Sequence, residues 1–284
     1  MTPRIIDIHP HIISADTVRY PIAPQAGTRS NWSEKRPSTF EELIVEMDEA
    51  GIAKAAIVHS STTYGYNNAY VTDSVTQQPD RFTAVCSFDL LAPDAIETFE
   101  YWRARGMGGV RLFTGGATKQ TDGRWLVNPA TFPVWERCAD LGMSMVIQTT
   151  PDGLSMVAEL AERFPGVKIA LDHCARPVLE AGPPYVACTE LFAMSKYDNV
   201  YLKITPKTFE RAEAAPGGAD AFFPHLVSLF GADHLAFGSN HPASTGSMKS
   251  LITQGQACLR LLSEEDRAWI WSRTAQALYP MLAD

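Results

Sequence analysis

Apolar and polar positions along the chain fall into short, regular blocks. Arg4-Ile-Ile-Asp-Ile-His-Pro-His11 reads as a first strand. Ala53–Val58, Phe82–Phe88, Gly109–Phe113, Ser144–Gln148, Val167–Asp172, Val200–Ile204 and His234–Gly238 read as seven more. Between them lie stretches with helical spacing: 39–50, 68–77, 94–105, 132–141, 153–164, 184–195 and 219–230. The first of these has Ser38 or Thr39 as its cap, acids in its first turn and Gly51 as its stop. Two further helices, near 247–261 and 264–278, finish the chain, the second capped at Ser263.

Strict alternation of strand and helix implies a parallel sheet. Eight such units in 284 residues, with no break in composition, imply a single α/β domain over residues 1–284. The expected architecture is a closed (β/α)8 TIM barrel with a long loop after strand one, about 12–38, and an extra C-terminal helix. An open doubly wound sheet is the alternative, weakened because no Gly-x-Gly-x-x-Gly turn follows the first strand. The long loop carries Tyr20, Arg29 and Trp32 and reads as a lid or substrate wall.

Composition narrows the class. A net charge of −8 argues against nucleic acid or anionic membrane as the main partner. No apolar run approaches the roughly 18 residues that span a bilayer, and no export signal is visible. Five scattered cysteines without a C-x-x-C pair suggest reduced thiols in a cytoplasmic protein. Trp102, Trp135, Trp269 and Trp271 either pack into the outer helix layer, the favoured reading, or serve a homo-oligomer interface.

The chemistry gathers at one rim. Active sites of such barrels lie at the C-terminal ends of the strands. His9 and His11 end strand one, His59, Ser60 and Ser61 strand two, Gln148 strand five and Asp172-His173 strand six. Strand eight runs into Gly238-Ser-Asn240-His241. Five of the seven histidines therefore fall at one rim, while His225 and His234 do not. His9 and His11, two apart on an extended strand, share a face and could grip a metal or an anionic substrate. Asp7 is expected to orient a histidine or a loop amide.

Arg111 and Lys203 sit in otherwise apolar strands and each needs an anion, either a substrate carboxylate or an internal aspartate; substrate is the favoured reading. Arg176 follows strand six, and Tyr64 to Asn68 resembles a polar-aromatic binding loop as much as ordinary turn chemistry. The candidate substrate-binding set is thus His59, Ser61, Tyr64, Asn68, Arg111, Gln148, Arg176 and Lys203. Gly115 and Gly116 read as turn formers rather than a phosphate cradle.

Asp7-x-His9-x-His11, Leu171-Asp-His-Cys-Ala-Arg-Pro177 and Phe237-Gly-Ser-Asn-His-Pro242 together resemble the amidohydrolase superfamily, as does the closing Arg273-Thr-Ala-x-x-Leu-Tyr279. Within it they are similar to the branch of 2-pyrone-4,6-dicarboxylate lactonase-like and sugar-lactonase-like hydrolases. The resemblance implies that His9, His11 and His173 surround the reacting group and that position 240 is catalytic. In relatives that position is commonly an aspartate acting as base. Here it is Asn240, and an amide is not a base near neutral pH. Either a single zinc or manganese on His9, His11 and His173 activates water, or His241 or His173 is the base without metal; the second is slightly favoured. Strand four offers Arg111 and no carboxylated lysine, so a two-metal centre is not expected.

The expected function is a hydrolase opening a lactone of a small carboxylated or polyhydroxy molecule. A metal-dependent non-oxidative decarboxylase of an aromatic acid and an inactive metabolite-binding barrel are the alternatives.

Overall fold

The computed structural model describes residues 4–114 and 123–283. Gly115 and Gly116 lie outside the described residues. Eight strands form one parallel sheet in sequential order: β1 Ile5–Asp7, β2 Ile52–Val58, β3 Phe82–Cys86, β4 Met107–Phe113, β5 Ser144–Gln148, β6 Ile169–Leu171, β7 Val200–Ile204 and β8 Leu235–Phe237. The architecture is a TIM barrel. Its seam between β8 and β1 is joined by Ile8 N–H donating to Phe237 O and by Asp7 Oδ1 accepting from Ser239 N–H at 2.8 Å.

The two-residue period sorts each strand into an inner and an outer face. Ile6, Ile8, Ala56, Val58, Val85, Val146, Ala170 and Ala236 pack together in the barrel interior. The neighbours in sequence, such as Ile57, Cys86, Leu112, Ile147 and Leu171, pack against the surrounding helices. Leu278, Tyr279 and Leu282 join the inner cluster, and Leu278 O accepts from Ser144 Oγ at the start of β5. The C-terminal helix region therefore plugs the bottom of the barrel. Gly109 makes room for the plug, since a Cβ there would meet the Tyr279 ring at 3.0 Å.

Thr39 caps the helix Phe40–Ala50 in a reciprocal box with Glu42, and Gly51 ends it at φ 72°. Three elements depart from expectation. β1 stops at Asp7, because that carboxylate takes His9 N–H at 2.9 Å and draws the following segment out of the ladder. The stretch read as helix 184–195 is three short turns, Val186–Cys188, Thr189–Phe192 and Ala193–Lys196. A helix at Pro206–Ala214, not foreseen, starts with proline at its first position, where the missing N–H costs nothing.

Trp135 and Trp271 are fully buried, and Trp102 and Trp269 lie against the same core, so all four pack into the helix layer. The five cysteines are free and buried. No helix among the described residues is long and apolar enough to cross a membrane.

Candidate active site

A buried charge cluster underlies the barrel mouth. Inner-face parity on β4 and β7 points Arg111 and Lys203 toward the axis, where both meet Asp172 at the end of β6. Arg111 Nε donates to Asp172 Oδ2 at 2.8 Å, and Lys203 Nζ lies 3.3 Å from Oδ1. Lys203 also donates to Ile8 O at 3.1 Å, and Arg111 Nη2 to Gln148 Oε1 at 2.9 Å. His9 Nδ1 lies 3.2 Å from the same Oδ1. Burial would push the Asp172 carboxyl upward, but Lys203, His9 and Arg111 outweigh it and hold it well below the usual range. Burial pushes Lys203 down, against the pull of Asp172. The anion that both inward cations need is thus internal. That corrects the reading of Lys203 as a substrate-binding residue; Arg111 keeps one edge on the cavity.

Above this cluster opens a cavity of about 170 Å³. Of the residues singled out from the sequence, His11, His59, Ser61, Arg111, Gln148, His173, Arg176 and Asn240 line it. His9 lies below, fully buried, its ring 5.0 Å from that of His11 and 4.9 Å from that of His173. Both His9 ring nitrogens lack a well-aligned hydrogen bond.

The other three histidines are held by one nitrogen each. His11 Nδ1 lies 2.8 Å from Val58 O, and His59 Nε2 2.8 Å from Gly65 O. A carbonyl only accepts, so each of these nitrogens carries the proton and the opposite one keeps its lone pair. His173 Nδ1 lies 2.8 Å from Thr205 Oγ1. Burial pushes His11 and His173 down to about 3 and His59 to about 4, so all three are neutral near pH 7.

These depressed values couple to folding. The unfolded chain takes up histidine protons below about pH 6.5 while the folded chain does not, so stability falls as pH drops from about 6.5 toward 4. Each of the three should contribute up to about 1.4 kcal/mol per pH unit in that window. Urea midpoints at pH 7, 6 and 5 check this; a flat profile would contradict it.

Position 173 is set by an unusual backbone. His173, Cys174, Ala175 and Arg176 all adopt left-handed conformations, φ 54°, 51°, 53° and 57°. Each non-glycine residue there costs about 1–2 kcal/mol, and such outliers gather at functional sites. This turn brings both the His173 ring and the Arg176 guanidinium to the cavity. Asn240 is also left-handed, at φ 52°, and its Nδ2 donates to Ser244 Oγ at 2.9 Å.

That turn at Asn240 sends its neighbour elsewhere. His241 does not line the cavity; it faces a separate groove with Arg36, Glu42 and Glu46, which removes it as a candidate base. Tyr64 and Asn68 likewise do not line the cavity: Tyr64 Oη accepts from Ser14 N–H, and the Asn68 amide bonds the Ser87 backbone in both directions. Asp7 orients loop amides, as anticipated.

Six cavity residues beyond that set are Ser30, Trp32, Ser60, Thr62, Lys207 and Ala243. Trp32 lies in the long loop read as a substrate wall, its ring 5.2 Å from that of His11. Lys207 comes from the unforeseen helix Pro206–Ala214; the signal was Thr205-Pro206, a cap followed by a first-turn proline.

His9, His11 and His173 are the residues expected to hold a zinc or manganese ion if one binds. Among the described residues, no three His, Cys, Asp or Glu side chains are grouped so that they could hold one. Asp172, beside His9, already faces Arg111 and Lys203, whose charges oppose a dication.

Barrel, rim and motifs define an amidohydrolase-type site. The family model described as "Amidohydrolase" matches residues 6–281, and the chain belongs to that family. Among curated proteins, it is 25% identical over 222 residues to the 4-sulfomuconolactone hydrolase of Rhizobium radiobacter, covering 75% of this chain and 71% of that protein. It is 26% identical over 257 residues to the L-fucono-1,5-lactonase of Burkholderia ambifaria, covering 86% and 84%. A Pseudomonas putida structure described as a candidate 2-pyrone-4,6-dicarboxylic acid hydrolase superposes with a TM-score of 0.79, at 20% identity and full coverage of both chains. That last similarity speaks for the fold.

Proposed function

We propose that this protein is a hydrolase that opens a small lactone carrying anionic groups, without a resident metal. The observation that carries this reading is a pair of free cations. Arg176 and Lys207 both line the cavity, and neither has a hydrogen-bond or ion-pair partner among the described residues. No carboxylate lines the described part of the cavity. Unpaired cations at a concave site focus an attractive field on an anion whatever the net charge of the chain. The two curated relatives are lactone hydrolases by name, which supports the reaction class.

The geometry supports the following division of labour. Arg176 and Lys207 hold the substrate's anionic groups, and Trp32 covers one side of the ring. The cavity edge of Arg111, fixed from behind by Asp172 and Gln148, donates to the oxyanion that forms when water attacks the carbonyl. His173, which lines the cavity, takes the water's proton. Asp172 exerts the strongest charge effect on its ring and would balance its imidazolium, while His9 lies fully buried beneath and at His11 and His59 the partner is a neutral carbonyl. The ring oxygen leaves and is reprotonated, giving a hydroxy acid that releases one proton to solvent. Asn240, its Nδ2 held by Ser244, keeps Oδ1 free to position the water.

Arg176→Ala is expected to raise KM for an anionic lactone roughly 10- to 100-fold, the worth of one charged hydrogen bond. It should leave kcat and the turnover of a neutral lactone little changed. Steady-state kinetics on a matched acid and methyl ester checks this; equal losses on both would remove the anion-binding role.

A further inference from the structure

The loop after β8 is a wall between two concavities. Asn240 and Ala243 face the active cavity, while His241, Pro242 and Ser244 face a groove of about 520 Å³ on the other side. The groove's far wall is the helix Phe40–Ala50, which contributes Glu41, Glu42, Val45 and Glu46. Arg36 braces the shared loop, donating from Nε to Pro242 O and from Nη2 to Ala243 O.

The charges in this groove do not cancel. Three carboxylates face one guanidinium, and two of that guanidinium's nitrogens are committed to the loop carbonyls. Glu42 spends one oxygen on Thr39 N–H and Glu46 one on Met248 N–H; their other oxygens and both of Glu41 have no partner among the described residues. Between them sits His241, 7% exposed, its Nδ1 buried and without a hydrogen-bond partner among the described residues. Pro37, Val45 and Pro242 supply apolar surface beside it.

We propose that this groove is a second binding site, distinct from the active cavity, for a small organic ammonium ion with an apolar body. The ammonium donates to the free oxygens of Glu42 and Glu46 and to the His241 ring, and the apolar part lies on Val45, Pro37 and Pro242. An anion is disfavoured by the carboxylate excess. A metal ion is disfavoured because no three such side chains here are grouped to hold one.

The probe is phenethylammonium, with the isosteric phenylacetate and phenethyl alcohol as charge controls, titrated calorimetrically into the full-length protein. Saturable binding of the ammonium and at least tenfold weaker binding of both controls are expected. Val45→Lys, at a position 56% exposed and so safe for folding, places a competing ammonium in the groove and should abolish binding. Glu46→Gln should weaken it at least fivefold, and excess anionic lactone should leave it unchanged. No saturable binding, equal binding of phenylacetate, displacement by the lactone, or full retention in Val45→Lys would each overturn the proposal.

Discussion

Replacing His173 by alanine is expected to lower kcat on the lactone substrate by about 10²–10⁴-fold, the usual contribution of a positioned general base. KM should change little, because the anion-holding groups proposed above are Arg176 and Lys207. The loss belongs to His173 in particular because of what stands around each imidazole. His173 lines the cavity and Asp172 exerts the strongest charge effect on it, whereas His9 is fully buried beneath and His11 and His59 rest on the carbonyls of Val58 and Gly65. Burial lowers His173 to about 3, with Asp172 opposing, so the ring is neutral and ready to accept at neutral pH. The pH profile of kcat/KM should therefore show no histidine limb between pH 6 and 8. His173→Gln, which keeps the volume and cannot take the proton, should be as slow as His173→Ala. Near-normal turnover in His173→Gln would show that the ring only fills space.

Asp172→Asn should be the most destabilising single change at the site. It leaves Lys203, fully buried, and Arg111, 6% exposed, without their common counter-ion. Removing one partner of a buried ion pair costs about 3–5 kcal/mol, a large share of a typical stability of 5–15 kcal/mol. The variant should also acquire a distinctive pH dependence. Burial already lowers Lys203, and without Asp172 its folded-state value falls further below that of the unfolded chain. The unfolded state then binds more protons than the folded state, so the variant should gain stability as pH rises from 7 toward 10. Adding Lys203→Met should restore part of the loss, as an apolar replacement of a buried charge often does. Denaturant unfolding of the three proteins at pH 7 and 9 decides it; a single variant as stable as the parent, with no pH slope, would show that the cluster is solvated.

The barrel was legible because a parallel strand buried on both faces leaves a compact apolar run, and each of the eight expected runs overlaps an observed strand, five of them closely. β1 was the exception in extent: Asp7 captures two amides and ends the ladder early, a contact with Ser239 that local pattern does not carry. The rim was legible too, since eight of the thirteen residues chosen from the sequence line one cavity. What failed did so for two reasons. The apolar strands around Arg111 and Lys203 showed that each needs an anion, but not that Asp172 is within 2.8 and 3.3 Å of them, because that contact spans the barrel. Adjacency suggested that His241 would share the site of Asn240, but a left-handed residue reverses the chain and puts neighbours on opposite sides of one wall. Arg176 and Lys207, which have no partner among the described residues, sit on a loop and a helix start, where sequence gives the least direction.

The lactonase reading meets its most direct test in proton release by the purified protein on a panel of carboxylated lactones, run before and after exhaustive chelation, with carbon dioxide release from aromatic acids measured in parallel. Saturable release of one proton per ring opened, unchanged by chelation and without carbon dioxide, is the expected result. Carbon dioxide from an aromatic acid with no turnover of any lactone, or lactone opening that vanishes on chelation and returns with zinc or manganese, would contradict it.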